Sequence, residues 1–364
     1  MLGHGVRAAG AADLVPELMK LGIPILTSWQ AKDLVDNDHP GYFGSPGIYG
    51  QRTANKVLAA ADLVLAIGNR LAIWNIGHAG FKPTQRIVMV DVDETEVRKF
   101  NGAEWINEDC RTFIEKLIST RLTSWDGWMQ ECSEWRDLYP WVESPAHDDE
   151  NGYINSYRFT DGLHRYLAPD EVIVTDMGTA LVCAHQVLRL KPPQRLMTSG
   201  GLGEMGCALP AAIGASLALG KRRVLCLHCD GGMQLNLQEL QTIVHHQLPI
   251  KIIVYRNEGY LMLQHTQNGA GMREAGVTPM SGVSFPDYRR LALTFGITAG
   301  EIRTWEDYHR LIPGFLSSEG PCLLEYHMRP RQPLVPKLGY KIENGEQVYA
   351  AFDDMSPTLE LVHG

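Results

Sequence analysis

Asp230 and Asn257 are the residues of this chain whose types and spacing best suit chemistry. They stand in Cys229-Asp230-Gly231-Gly232 and Arg256-Asn257-Glu258-Gly259-Tyr260. Each follows an apolar run that reads as a strand, Val224 to Leu227 and Ile250 to Tyr255. Leu235 to His246, between them, reads as helix. In a parallel sheet the two strand ends share one crevice, the place where such sheets bind ligands. A carboxylate and a carboxamide would meet there. Oxygen-only ligands suit a hard divalent cation such as magnesium, which takes one or two protein carboxylates plus phosphate oxygens. Gly231 and Gly232 would let backbone N–H groups approach a phosphate. The helix expected to begin near Asn236 adds its positive end nearby. Taken singly, Asp230 also reads as a helix N-cap and Asn257 as a turn former.

The elements that must position these residues alternate along most of the chain. Ala11 to Leu21 reads as helix, Ile23 to Thr27 as strand and Thr53 to Ala61 as helix. Leu63 to Ile67 and Ile87 to Val92 read as strands, Asp93 to Phe100 and Cys110 to Ser119 as helices. After residues 121–155, where four tryptophans lie among acids, the alternation resumes: helix to Leu167, strand Val172 to Thr175, helix from Gly206, and a last strand, Leu323 to Tyr326. This implies an α/β fold of two doubly wound parallel-sheet domains. The expected boundaries are 1–120 for the first domain, 121–155 for a linker, 156–345 for the second domain and 346–364 for a tail. Gly3-His4-Gly5 lacks the full spacing of a dinucleotide fingerprint and reads as a turn that uses glycine flexibility.

Length fits two domains: 364 residues exceed one ordinary core. A net charge of −9 argues against nucleic acid as a main partner, which calls for a basic surface. The longest small-apolar stretch, Ala208 to Leu219, is too short to span a bilayer and contains Pro210 and Gly214. Seven irregularly spaced cysteines fit reduced thiols and a cytoplasmic setting. Cys226-Leu227-His228-Cys229 is a C-x-x-C with no second pair to complete a zinc site, on a run that reads as buried strand, so a structural role is expected. His245-His246 reads as helix surface.

Asp230, Gly231 and Asn257 have the spacing of the thiamine-diphosphate motif, Gly-Asp-Gly followed about two dozen residues later by Asn. Thr198 to Gly206, Leu209 to Ala215, Asn236 to Leu240 and Leu248 to Lys251 are similar to the surrounding segments in acetolactate-synthase-type enzymes. Gly47-Ile48-Tyr49-Gly50, Ala54-Asn55 and Ala66-Ile67-Gly68-Asn69-Arg70 resemble that family's middle domain. The resemblance implies a nucleotide-binding-like middle domain followed by a thiamine-diphosphate-binding domain. It implies decarboxylation of a 2-keto acid such as pyruvate by thiamine diphosphate, with carboligation to a second carbonyl. Asp230, Asn257 and the Gly259 carbonyl would hold Mg2+. Asp176, Gly178, Thr179, Gly203, Met205, Gly231, Gly232 and Tyr260 would line the cofactor, with Met205 holding it bent and the Gly203 carbonyl facing its amine. FAD in the middle domain, near Gly47 to Asn55, Arg70, Asp91 and Asp109, is one reading. An empty nucleotide crevice is the other.

Departures from the family pattern leave alternatives open. Thr179-Ala180 stands where synthases often carry Gln-His. Cys229 replaces a glycine, which matters only if the backbone there has positive φ. Glu258 to Met262 with His265-Thr266-Gln267 resembles a broader group of carboligases, some acting on unusual sugars. A carboligase for a keto-sugar nucleotide, a 2-keto-acid decarboxylase and a noncatalytic subunit therefore stay in view. The resemblance starts inside the first strand of the middle domain and lacks the family's preceding domain, which supplies the activating glutamate. That implies a fragment or a split enzyme, with a homo-oligomer or a pyrimidine-domain partner, and an apolar face around Leu202, Met205 and Leu261.

Overall fold

The computed structural model describes residues 1–343 and 346–359. The chain forms two compact units. The first comprises residues 1–146 and 190–192 together with the C-terminal segment from Val335, and the second residues 147–189 and 193–334. The C-terminal segment thus belongs to the first unit, whereas the sequence placed residues 335–345 with the second. The end of the expected tail, 360–364, lies outside the described residues.

In the first unit β1 (Leu63–Ile67), β2 (Arg86–Val90) and β3 (Glu104–Ile106) form a parallel sheet in that order. Single parallel bridges from Leu2 to Thr27 and Ile67, and from Ile25 to Tyr42, extend it on the β1 side. The expected strand over Ile23 to Thr27 is therefore present as bridges. The expected helix Ala11 to Leu21 splits into a 3-10 turn, Ala12–Leu14, and a short helix, Val15–Met19. Pro16 sits in that short helix without an N–H to continue the ladder. Gly3 opens a helix, His4–Ala8, at an ordinary φ of −116°. Its glycine is needed for contact, not flexibility: a Cβ there would lie 2.0 Å from the Gly68 carbonyl oxygen. The expected linker carries a helix, Asp126–Leu138. Its Cys132 is fully buried in the first unit's apolar cluster, where Trp128 and Trp135 meet edge to face at 5.6 Å.

The second unit is built on six parallel strands, β4 (Val172–Thr175), β5 (Arg195–Thr198), β6 (Val224–Cys229), β7 (Ile250–Arg256), β8 (Thr298–Ile302) and β9 (Cys322–His327). Their order is β5-β4-β6-β7-β9-β8. β6 is buried along its whole length, as expected for a strand covered by helices on both faces. One face packs Val174, Cys226, Ile252 and Val254 against helix residues Leu209, Ile213, Leu240 and Tyr288. On the other, Phe159 stacks on Tyr326 at 3.8 Å and meets Tyr255 edge-on. Buried Lys251 donates to the Ser318 and Gly320 carbonyls at 2.8 and 2.6 Å. That terminates the helix Trp305–Ser317 with a cation at its negative end. The central strand pair is in register from Val224↔Ile250 to Cys229↔Tyr255, so Asp230 leaves β6 beside Arg256, the last residue of β7.

Candidate active site

Asp230 is fully buried where β6 ends and opens a single helical turn, Asp230–Met233. Its Oδ1 accepts the Gly231 N–H at 2.9 Å. Its Oδ2 accepts the N–H groups of Asn257 (3.1 Å), Glu258 (2.7 Å) and Gly259 (3.3 Å). The carboxylate thus clasps the loop after β7, which turns through Glu258 at φ 60°. Among the described residues no basic side chain pairs with it. Burial pushes the carboxyl up to about 7, against the opposing pull of those N–H groups. Asn257, also buried, reaches toward the Pro330 carbonyl at 3.5 Å.

The glycines are required by close approach. A Cβ on Gly231 would lie 2.2 Å from the Tyr260 ring, and one on Gly232 would lie 1.8 Å from Asp176 Oδ2. Asp176 leaves β4, the sheet neighbour of β6, and is fully buried. Its Oδ1 accepts the Ala208 N–H at 3.3 Å. Among the described residues its Oδ2 has no hydrogen-bond partner, and it lies 3.5 Å from His228 Nδ1. Burial raises the Asp176 carboxyl and lowers the His228 imidazole. Gly178 precedes the helix Thr179–Val187 at φ 127°, and Thr179 is buried at its start.

Gly203 and Gly206, at φ 65° and 85°, shape the loop that carries half-buried Met205. Asn236 Nδ2 donates to the Gly206 carbonyl at 2.8 Å. That use of residues 234–238 as a turn explains why the helix begins at Glu239 rather than near Asn236. Asp176, Gly178, Thr179, Gly231, Gly232, Asn257, Gly259 and Tyr260 therefore gather at the adjoining ends of β4, β6 and β7, and hydrogen bonds tie the Met205 loop to them.

Three features went unread in the sequence. His228 projects from within β6 beside Asp176. Tyr288 donates its hydroxyl to the Asp230 carbonyl, and Arg256 pairs with buried Glu325. Cys229 has ordinary extended backbone, φ −114° and ψ 156°, so its replacement of glycine costs no strain. Its Sγ accepts the Ala180 N–H at 3.4 Å. Cys226 and Cys229 are buried, unoxidised thiols whose ionisation burial opposes. Leu202 is 92% exposed and Leu261 only 3%, so Leu261 does not contribute to the expected bare face. His245 and His246 are exposed, as expected.

The donor set fits a magnesium diphosphate. It offers an anionic oxygen pair with one lightly used oxygen, a carboxamide, backbone carbonyls and a two-glycine turn. A buried carboxylate that forms no ion pair among the described residues is also what a bound divalent ion would neutralise. The flavin candidates look different. Asp109 caps the helix Cys110–Ser119 by accepting the Arg111 N–H, Asp91 accepts the Asp93 N–H at 3.0 Å, and Arg70 pairs with Glu96.

Residues 176–326 match the model of the thiamine pyrophosphate enzyme C-terminal TPP-binding domain, and residues 1–117 match that of the thiamine pyrophosphate enzyme central domain. The chain belongs to the thiamine pyrophosphate enzyme family and carries its central and C-terminal domains. Among curated relatives, it is 29% identical over 340 residues to the acetolactate synthase isozyme 2 large subunit of Escherichia coli K12, covering 92% of this chain and 61% of that protein. Isozyme 1 of the same organism is 30% identical over 351 residues, covering 95% and 61%. The acetolactate synthase large subunit of Parasynechococcus marenigrum is 29% identical over 346 residues, covering 92% and 55%. The chain thus spans about three fifths of the length of these relatives. No helix among the described residues is long and apolar enough to cross a membrane.

Proposed function

We propose that this chain binds the magnesium diphosphate end of thiamine diphosphate and serves an acetolactate-synthase-like carboligation of a 2-keto acid, with pyruvate the first candidate. The observation that carries the reading is the Asp230 clasp: a buried carboxylate, in no ion pair among the described residues, binding the loop of Asn257 and Gly259. Asp230, Asn257 and the Gly259 carbonyl would hold the metal. When bound, thiamine diphosphate supplies the carbanion chemistry that a 2-keto acid needs to lose carbon dioxide. The chain's own contribution is position and field. Gly231 and Gly232 admit backbone N–H groups to the phosphates. Asp176 fixes the start of the helix Ala208–Ala218, and with it the loop on which Met205 would prop the cofactor. The relatives named acetolactate synthase support the carboligation, and their greater length makes the whole reaction a property to be tested with a fuller assembly.

Calorimetric titration of thiamine diphosphate into the chain, with and without Mg2+, tests the binding step. Affinity that needs the metal supports the reading, and equal affinity without it rejects the metal site. Product analysis with pyruvate, in a preparation supplemented with a pyrimidine-binding domain from a relative, tests the reaction. Acetolactate supports carboligation, whereas acetaldehyde alone makes the protein a decarboxylase.

A further inference from the structure

We propose that the strand-end crevice of the first unit is filled by the chain's own C-terminal segment, residues 335–343 and 346–359, in place of a flavin or any other dinucleotide. The wall in question is Gly47 to Asn55, where the family resemblance would seat a flavin. Its polar groups already have protein partners. Asn55 Oδ1 accepts the Gly47 N–H at 2.7 Å and its Nδ2 donates back to the Gly47 carbonyl at 3.1 Å. Gln51 Oε1 accepts the Ser45 N–H at 2.8 Å. The Ile48 N–H donates to the Trp74 carbonyl at 3.0 Å, and a Cβ on Gly47 would lie 1.8 Å from that same oxygen. The two loops that would flank a ligand are in contact.

The C-terminal segment closes what is left. The Leu338 N–H donates to the Ile48 carbonyl at 2.8 Å. Arg52 Nη1 and Nη2 donate to the carbonyls of Met355 (3.1 Å) and Pro357 (2.5 Å), and Nε donates to Glu143 (2.8 Å). Lys56 lies 3.4 Å from Asp353. Two of the cations that could meet a pyrophosphate, Arg52 and Lys56, thus contact the segment itself, and a third, Arg70, pairs with Glu96. Phe352 and Met355 are each 3% exposed and lie in the apolar cluster of Ala54, Leu58 and Met89. The segment is therefore anchored by side chains as well as by its backbone. The cavity remaining between Arg52, Lys56, Tyr139 and Met355 is about 100 Å³, well below the roughly 300–1,000 Å³ of small-molecule and cofactor sites. This inference is independent of the thiamine reading, because its readouts come from flavin and from backbone amides.

The test uses the full chain. It is incubated with excess FAD and desalted, its absorbance is read, and flavin fluorescence is titrated separately. No retained flavin and no saturable binding are expected. In parallel, hydrogen exchange of the Leu338 amide, bonded to Ile48, and of the Ala350 amide, bonded to Gly339, is expected to be at least about a hundredfold slower than in an unstructured chain. The variant Phe352→Asp/Met355→Asp should lose that protection. Should the variant fail to fold, the two measurements on the unaltered chain still decide. Stoichiometric flavin in the unaltered protein overturns the proposal, as do Leu338 and Ala350 amides that exchange at unstructured rates.

Discussion

Each unit of this molecule buries several carboxylates, and two of them, Glu143 in the first and Asp230 in the second, are handled differently. In the first, Glu143 lies 2.8 Å from Arg52, with both side chains under a tenth exposed. Burial raises the Glu143 carboxyl even so, outweighing the attraction of Arg52. In the second, Asp230 has four backbone N–H groups and, among the described residues, no ion-pair partner. The first carboxylate has its countercharge in the chain. The second has the arrangement of a group whose countercharge arrives from solution. The surroundings follow the same division. Around Arg52 the crevice is packed with the chain's own residues, whereas the turn at Asp230 is built of glycines that let the Tyr260 ring and the Asp176 carboxylate come close.

The largest effect expected from this contrast is on stability. Glu143→Ala would leave Arg52 buried without its carboxylate and should cost about 3–5 kcal/mol, as removal of one partner of a buried pair does. Glu143→Gln keeps a hydrogen-bond acceptor and should cost less. Urea unfolding of the three proteins checks this. A loss below about 1 kcal/mol for the alanine variant would mean that the pair is not structural and that the contrast fails on the first side.

Next comes Asp230→Ala, whose effect should fall on ligand binding. Outer-shell partners of a metal alone are worth roughly 10–100-fold in affinity. Loss of the one carboxylate assigned to the metal should therefore weaken Mg2+-dependent thiamine diphosphate binding by more than about a hundredfold. Asn257→Ala removes a neutral ligand, and a loss of about tenfold is expected. Titration calorimetry on both variants orders them, and an Asn257 variant weaker than the Asp230 variant would reverse the assignment of ligand roles.

The parts of this that were legible in the sequence share a cause. The strands β6 and β7 are nearly uninterrupted apolar runs, and in a parallel pair joined by one helix their ends must be neighbours. Asp230 and Asn257 could therefore be brought together from spacing alone. Asp176 was picked out by resemblance, but its closeness to Gly232 depends on β4 lying beside β6, and strand order does not appear in local pattern. Tyr288 reaches Asp230 from 58 positions away, and nothing near it in sequence announces that. The helix Asp126–Leu138 was missed for another reason. Trp128, Cys132 and Trp135 are spaced as one helical face, but the acids among them gave the stretch the look of a loop. The C-terminal segment has no period at all. Phe352 and Met355 are single apolar anchors, the latter in a two-residue strand paired with Lys337–Leu338, and only the tertiary structure brings them to Ala54 and Leu58.

The smallest effect sharpens the contrast through pH. The Asp230 carboxyl is raised by burial to about 7, above the usual carboxylate range near 3.9. A group raised in the folded state favours folding fully below its unfolded value, and that contribution is lost as pH rises through about 7. Mg2+ binds the ionised form, so it must displace the proton at low pH and meets a ready carboxylate at high pH. The thermal midpoint gained on adding Mg2+ and thiamine diphosphate should therefore be larger at pH 8 than at pH 5.5. For each kcal/mol of difference, about 2–4 °C is expected for a unit of this size. Near pH 6, calorimetry in buffers of different ionisation enthalpy should find net proton release on binding. The Asp230→Asn variant should lose this pH dependence, while Glu143→Gln, which touches a carboxylate already faced by Arg52, should keep it. Equal midpoint gains at the two pH values, with no proton released, would mean that Asp230 is already ionised before the metal arrives. The difference between the two buried carboxylates would then lie in packing alone.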